Sequence, residues 1–157
     1  MHNHAPDNYR CPICLAINGV EHEDTWIVQN DIFYRDDLVV GFISSKAIKG
    51  NDGHPLILPI QHYENIYDLP TEIGHRVSEI AKQTSIALKE TRNADGVTLV
   101  QNNEPAGDQH AFHYHLHVIP RFIDDSYHTE GHRASRSNPV DRAAPASALR
   151  EWFKAHS

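Results

Sequence analysis

The 157-residue chain has little of several things, and each shortage removes a class of function. Only two cysteines are present, Cys11 and Cys14, so this is not a small scaffold stapled by several disulfides. No apolar run approaches the roughly 20 residues that cross a bilayer, and the start, MHNHAPDNYR, holds no apolar stretch of the kind found in secretory signals. A membrane protein is thereby disfavoured, and the cytoplasm is the expected location. Basic residues are outnumbered, 14 Lys and Arg against 21 Asp and Glu, for a net charge of −7. Nucleic-acid binding by broad phosphate neutralisation is disfavoured, although a local pocket can still oppose the global sign and take a small anion. Aromatic residues make up 8% and form no stripe, which removes the stacking platform of a single-strand binder.

What is present is ordinary for one globular domain: 39% hydrophobic and 22% charged residues, in a length that can bury its own core. Residues 1–9 carry turn chemistry and no periodicity, so they read as a mobile lead, with a single domain over 10–157. Short β-rich stretches follow at Thr25-Trp26-Ile27-Val28 and Leu38 to Ile43, then a strand at His54 to Pro59. A helix opens at Pro70-Thr71-Glu72. Its apolar positions Ile73, Val77, Ile80, Ala81, Thr84, Ala87 and Leu88 recur every three or four residues, until Asn93-Ala94-Asp95-Gly96 stops them. Gly96 to Gln101 and Phe112 to Ile119 read as strands, Asp124 to Pro139 as a polar irregular segment, and Ala144 to Ala155 as a closing helix. The sum predicts an α+β fold, with an antiparallel sheet of about five strands, one long helix and a C-terminal helix.

Histidine is the abundant residue, with 13 copies, four of them between His110 and His117. On a strand, alternate side chains share a face, so His113, His115 and His117 line one surface while Tyr114, Leu116 and Val118 face a core. Two chemistries use such a row. Neutral imidazoles can bind zinc or iron, but a catalytic site often adds a carboxylate and none alternates into this strand. Alternatively, an imidazole can attack phosphorus if its other nitrogen is held by an acceptor, with neighbouring imidazoles stabilising the phosphoryl charge. The preceding loop, Asn102 to Gln109, supplies amide side chains and Gly107 for close backbone approach to a phosphate.

At these residues the sequence resembles the histidine-triad (HIT) family. Gln101-Asn102-Asn103, Gly107 and Gln109, then Phe112-His113-Tyr114-His115-Leu116-His117-Val118-Ile119-Pro120-Arg121, match its signature in order and spacing. Gly53-His54-Pro55-Leu56-Ile57-Leu58-Pro59-Ile60-Gln61-His62 matches a second family segment, and the likeness runs over roughly 11–122. The resemblance implies a HIT-like homodimer acting on a purine nucleotide or nucleotide conjugate, without an organic cofactor. His115 is then the nucleophile at the α-phosphate of a nucleoside phosphoramidate or similar compound. His117 contacts the phosphate, and Asn102 and Gln109 help hold it. A dinucleoside polyphosphate hydrolase and a non-catalytic nucleotide-binding module are the alternatives.

Three departures from the family pattern stand out. Asp108 is inserted between Gly107 and Gln109, where a carboxylate is unfavourable near phosphate unless it points away or is neutralised. His110 replaces a Ser or Thr that assists the leaving group, and as a cation it could donate that proton. Ser44 stands where relatives carry an Asp for the ribose hydroxyls.

Cys11-Pro12-Ile13-Cys14 alone reads as a redox pair, an inert pair or half of a zinc site, and it lacks the strand that precedes a thioredoxin-like motif. The resemblance completes a structural zinc site with His62 and His113, His54 being the substitute for His62. Histidines 2, 4, 22, 75, 128, 132 and 156 are left to solvent.

Overall fold

A computed structural model of the chain describes residues 2–130 and 135–157. The strands are β1 (Ile32–Arg35), β2 (Val39–Ile43), β3 (Lys46–Ala47), β4 (Pro55–Pro59), β5 (Gly96–Gln101), β6 (Leu116–Arg121) and β7 (Ser135–Arg136). Five of them form one antiparallel sheet in the order β1-β2-β4-β6-β5, and β3 pairs with β7 apart from it. The helices are α1 (Pro12–Ile17), α2 (Thr71–Arg92), α3 (Tyr127–Glu130) and α4 (Pro139–Ala155). The expected α+β class, five-stranded sheet, long helix and closing helix are all found.

Every residue of β2 and β4 is buried, because the sheet is covered on both faces. Val39, Ile43 and Ile57 pack with the α2 stripe and with Leu149 and Phe153 of α4. Val40, Phe42, Leu56 and Leu58 pack with Ile13, Ala16 and Ile17 of α1 and with Ile27. A strand with no solvent face needs apolar residues at every position, which is why these two read as continuous runs. Gly41 allows the close approach of β1, since a Cβ there would sit 2.7 Å from the Phe33 ring. In α2 the seven buried residues are those of the predicted stripe, and Asn93, at φ +52°, closes the helix in the left-handed region.

Four boundaries differ from expectation. Thr25 to Val28 is not a strand. Asp31 Oδ2 accepts from Val28 N at 2.8 Å and bends the chain into a 3-10 turn, so β1 begins only at Ile32. The histidine segment joins the sheet at Leu116 rather than Phe112, because Tyr114 N donates to Tyr63 O (2.6 Å) and His113 N to Ala111 O (2.9 Å) instead of to a ladder. The last helix starts at Pro139 and runs through Pro145, started by Asn138, whose side chain accepts from Val140 N at 3.0 Å. Within 124–139, the segment read as irregular, lie α3, β7 and the first residue of α4. Residues 131–134, including His132, lie outside the described residues.

The first residues have partners. Asn65 Nδ2 donates to His2 O (3.1 Å) and Asn3 Oδ1 (3.0 Å), His4 N donates to the Glu64 carboxylate, and Tyr9 OH accepts from Phe112 N (3.1 Å). Among the other histidines assigned to solvent, His75 is exposed, His4 pairs with Glu104 at 2.7 Å, and His156 stacks on Trp152.

Candidate functional site

Two clusters lie on either side of the Tyr114 backbone. In the first, the short helix α1 presents both cysteines: Cys11 caps it, its Sγ accepting from Cys14 N at 3.4 Å, and Pro12 sits at the first helical position. His113 Nδ1 is 3.6 Å from Cys11 Sγ and 3.5 Å from Cys14 Sγ, and His62 Nδ1 is 3.3 Å from Cys14 Sγ. All four ligand atoms lie within 4.8 Å of one another. The edges of a tetrahedron around zinc, with Zn–S and Zn–N bonds near 2.3 and 2.0 Å, are roughly 3.3–3.8 Å. The cluster therefore has the donor set and nearly the size of a closed Cys2His2 site. His113 is fully buried, and Nε2 lies 2.9 Å from Pro59 O; a proton donated there leaves Nδ1 as the free ligand atom. A hydrogen bond from Cys14, aided by His113 and His62, pulls the Cys11 thiol well below its ordinary value, so a thiolate forms readily.

The second cluster faces away from the cysteines. His115 Nδ1 is 2.6 Å from His113 O, an acceptor only, so the ring proton is fixed on Nδ1 and Nε2 carries the free lone pair. Burial lowers the pKa of His115, which keeps the imidazole neutral. His117 lies in β6 opposite Leu56 of β4, with its ring 5.0 Å from that of His115. Its Nδ1 is 3.1 Å from Nε2 of His54, which is 1% exposed at the edge of β4. His117 is pushed far below its usual pKa, first by burial and then by its neighbours His115 and His54. His54 is thus not a substitute metal ligand but the third imidazole of this cluster.

Two cavities flank these histidines. One, of about 290 Å³, is lined by Trp26, Ile27, Phe42, Ser44, His115 and His117 among others. The other, of about 360 Å³, lies toward Asn102, His54 and α3, and the two share Lys46, Asp108, His110 and His117. The structure brings together His115, His117, His110, Ser44 and Asn102 around these spaces, and sends His113 to the cysteines. It does not bring in Gln109 or Gly107. Gln109 is buried, donating to Glu64 O (2.6 Å) and accepting from Glu104 N (2.7 Å), so its amide holds the loop. Gly107 is exposed, with no atom within 4 Å of a Cβ built on it, and lines neither cavity. The inserted Asp108, at φ +66°, turns its side chain to His110, with Oδ1 3.1 Å from His110 Nε2. Sequence reasoning missed Lys46 and the wall formed by Trp26 and Ile27. No periodicity marks Lys46, and by composition Trp26 and Ile27 read as a strand rather than as a pocket wall.

Comparison with known proteins agrees with this geometry. The HIT domain family matches residues 27–124. A HIT-like protein of Borreliella burgdorferi is 32% identical over 121 residues, covering 76% of this chain and 81% of that one. The adenylylsulfatase HINT3 of Arabidopsis thaliana is 30% identical over 88 residues, 56% of this chain and 44% of that protein. The crystal structure of a Zn-bound histidine triad family protein from Mycobacterium smegmatis superposes with a TM-score of 0.72 at 25% identity, over 93% of this chain and 94% of that one.

Proposed function

Because the chain belongs to the HIT family, we propose that it is a nucleotide hydrolase or nucleotidyltransferase that works through a covalent nucleotidyl-His115 intermediate. The observation that carries the reading is the 2.6 Å bond from His115 Nδ1 to His113 O, beside a cavity of about 290 Å³ that His115 lines. The nucleoside occupies that cavity, its ring against Trp26 and Ile27 and its ribose near Ser44, which offers one hydroxyl where the family pattern has a carboxylate. His115 Nε2 attacks the α-phosphorus, a P–N bond forms, and the bond to the leaving group breaks with its electron pair. His110, beside Asp108, gives the leaving atom its proton. Water then attacks phosphorus and releases a proton, the P–N bond breaks with its pair returning to Nε2, and a nucleoside monophosphate departs. His117 faces the phosphoryl oxygens and stabilises the charge that develops there.

Cys11, Cys14, His62 and His113 fit a zinc ion, which would tie α1 to the sheet and fix the segment that carries His115. Both thiols would stay reduced in the cytoplasm. β5 is an edge strand with Leu99 52% exposed, the surface across which a homodimer extends the sheet. The deciding experiment incubates the protein with adenosine 5′-phosphoramidate labelled on phosphorus, then seeks an acid-labile adduct on the peptide bearing His115. An adduct that persists in His115→Ala sinks the mechanism.

A further inference from the structure

The cavity of about 360 Å³ has no assigned occupant. It touches the site through His117 and Lys46 but not through His115, which lines only the other cavity. A phosphorus atom seated between the two cavities and attacked from the His115 side has its departing bond directed toward the unassigned one. We propose, resting on the reading above, that this cavity is a leaving-group subsite selecting a ring-bearing organic group with an anionic substituent, held between Lys46 and the Tyr127–His128 wall.

Size is the first argument. Cavities of roughly 300 Å³ and larger accommodate whole organic ligands, whereas ammonia or sulfate would leave most of this one empty. The second is that the wall is built rather than incidental. Asp125, whose side chain is 3% exposed, accepts from Arg121 Nε (2.7 Å) and Nη2 (2.8 Å), from Asn51 Nδ2 (2.9 Å), and from the backbone N of Phe122 (3.0 Å) and Tyr127 (3.3 Å). The Arg121 guanidinium also lies 4.2 Å from the centre of the Tyr127 ring. These contacts fix the turn that carries Tyr127 and His128 to the cavity. Polarity is the third argument: Ile48, Val100 and Ile119 give an apolar floor for a ring. Among the described residues the one carboxylate lining it, Asp108, lies 3.1 Å from His110 Nε2 on the side shared with the other cavity, which leaves Lys46 and His128 to meet an anion.

The test compares three adenosine 5′-phosphoramidates: the unsubstituted amide, the anilide, and the anilide of 4-aminobenzoate. The native protein should prefer the carboxylated anilide to the plain one, and His128→Ala and Tyr127→Ala should each lower the ratio of kcat/KM for the carboxylated anilide over the unsubstituted amide by about tenfold or more. An unchanged ratio in both variants overturns the proposal. Since Tyr127→Ala could loosen α3, binding is read separately on the native chain. Free 4-aminobenzoate should bind protein already saturated with AMP, and more weakly to His128→Ala. Mutual exclusion by AMP, or equal binding to the variant, also overturns the subsite. Failure of the parent reading looks different: no conjugate would leave an adduct on His115, whatever the ternary binding showed.

Discussion

Nε2 of His54 lies 3.1 Å from Nδ1 of His117, and Nδ1 of His54 is buried with no hydrogen-bond partner among the described residues. Only one proton can sit between the two rings. If His117 donated it, His54 would carry its own proton on the unpartnered Nδ1, an orphaned buried donor, which costs more than a bare lone pair. The assignment that avoids this has His54 donate from Nε2, so that His117 keeps a proton on its own Nε2 for a phosphoryl oxygen. His54 is then a positioning residue, comparable to the groups that orient a metal-bound imidazole, whose loss costs about 10–100-fold. His54→Leu should lower kcat by that factor with KM nearly unchanged, and His54→Gln, which retains an N–H, should recover part of the loss. A kcat for His54→Leu within about twofold of the parent would refute the assignment.

The same burial makes stability fall on the acid side. Desolvation drives His54 from its ordinary value near 6.5 to about 3, and His115 and His117 are also shifted down, chiefly by burial. Between those two values of pH the unfolded chain takes up a proton that folded His54 refuses. Stability is thus fully present above about pH 6.5 and is lost as pH falls, at about 1.4 kcal/mol per pH unit for each such group. Urea unfolding between pH 7 and pH 4 should show a shallower loss for His54→Leu than for the parent. Parallel curves would show that His54 titrates normally.

The Cys2His2 cluster predicts metal in the protein as purified. Analysis without added zinc should find close to one ion per chain, and Cys11→Ser or His62→Ala should reduce it and lower Tm. Cobalt substituted for zinc should give the absorption of a tetrahedral thiolate site. Clearly substoichiometric metal, or a Tm indifferent to chelator, would leave the cluster as an inert polar contact.

Arg142 and Asp31 form a buried ion pair across the molecule, 1% and 0% exposed, with contacts of 3.0 Å from Nε and 2.9 Å from Nη2. Arg142 also donates to Ser137 O (2.6 Å) and Trp26 O (2.7 Å), which ties the start of α4 to the turn before β1. Removing one partner strands the other charge, so Asp31→Ala or Arg142→Ala should each destabilise by about 3–5 kcal/mol. The double variant Asp31→Leu/Arg142→Met should be more stable than either single change in denaturant titrations. Additive losses would mean that the charges contribute independently.

That ion pair explains where sequence reading stopped. α2 was legible because seven apolar residues repeat at helical spacing with a left-handed Asn93 at the end, and β2 and β4 because burial on both faces forces apolar runs. The start of β1 and of α4 was not: Asp31 and Asn138 set them through short turns on Val28 N and Val140 N that carry no periodicity, and the Arg142–Asp31 pair that joins the two turns spans 111 residues. In the site, the row His113-His115-His117 was visible, but its division depends on backbone bonds of His113 and Tyr114 that no side-chain pattern encodes. His54 was legible only as a member of a motif, because its partner His117 is 63 residues away.

His110 is the last residue whose role can be separated from folding. Its side chain is 68% exposed and its Nε2 is 3.1 Å from Asp108 Oδ1, so its substitution should leave Tm unchanged. It lines both cavities, beside the place where the leaving atom departs. A proton donor matters most when the leaving group is basic. His110→Ala should therefore slow the unsubstituted phosphoramidate by about 10²-fold or more, and slow less an anilide whose ring carries a nitro group, since its nitrogen bears less charge at P–N cleavage and depends less on a positioned donor. The alkaline limb of the kcat/KM profile should vanish with it. If both substrates slow equally and the profile keeps its shape, His110 only lines the cavities and the proton comes from water.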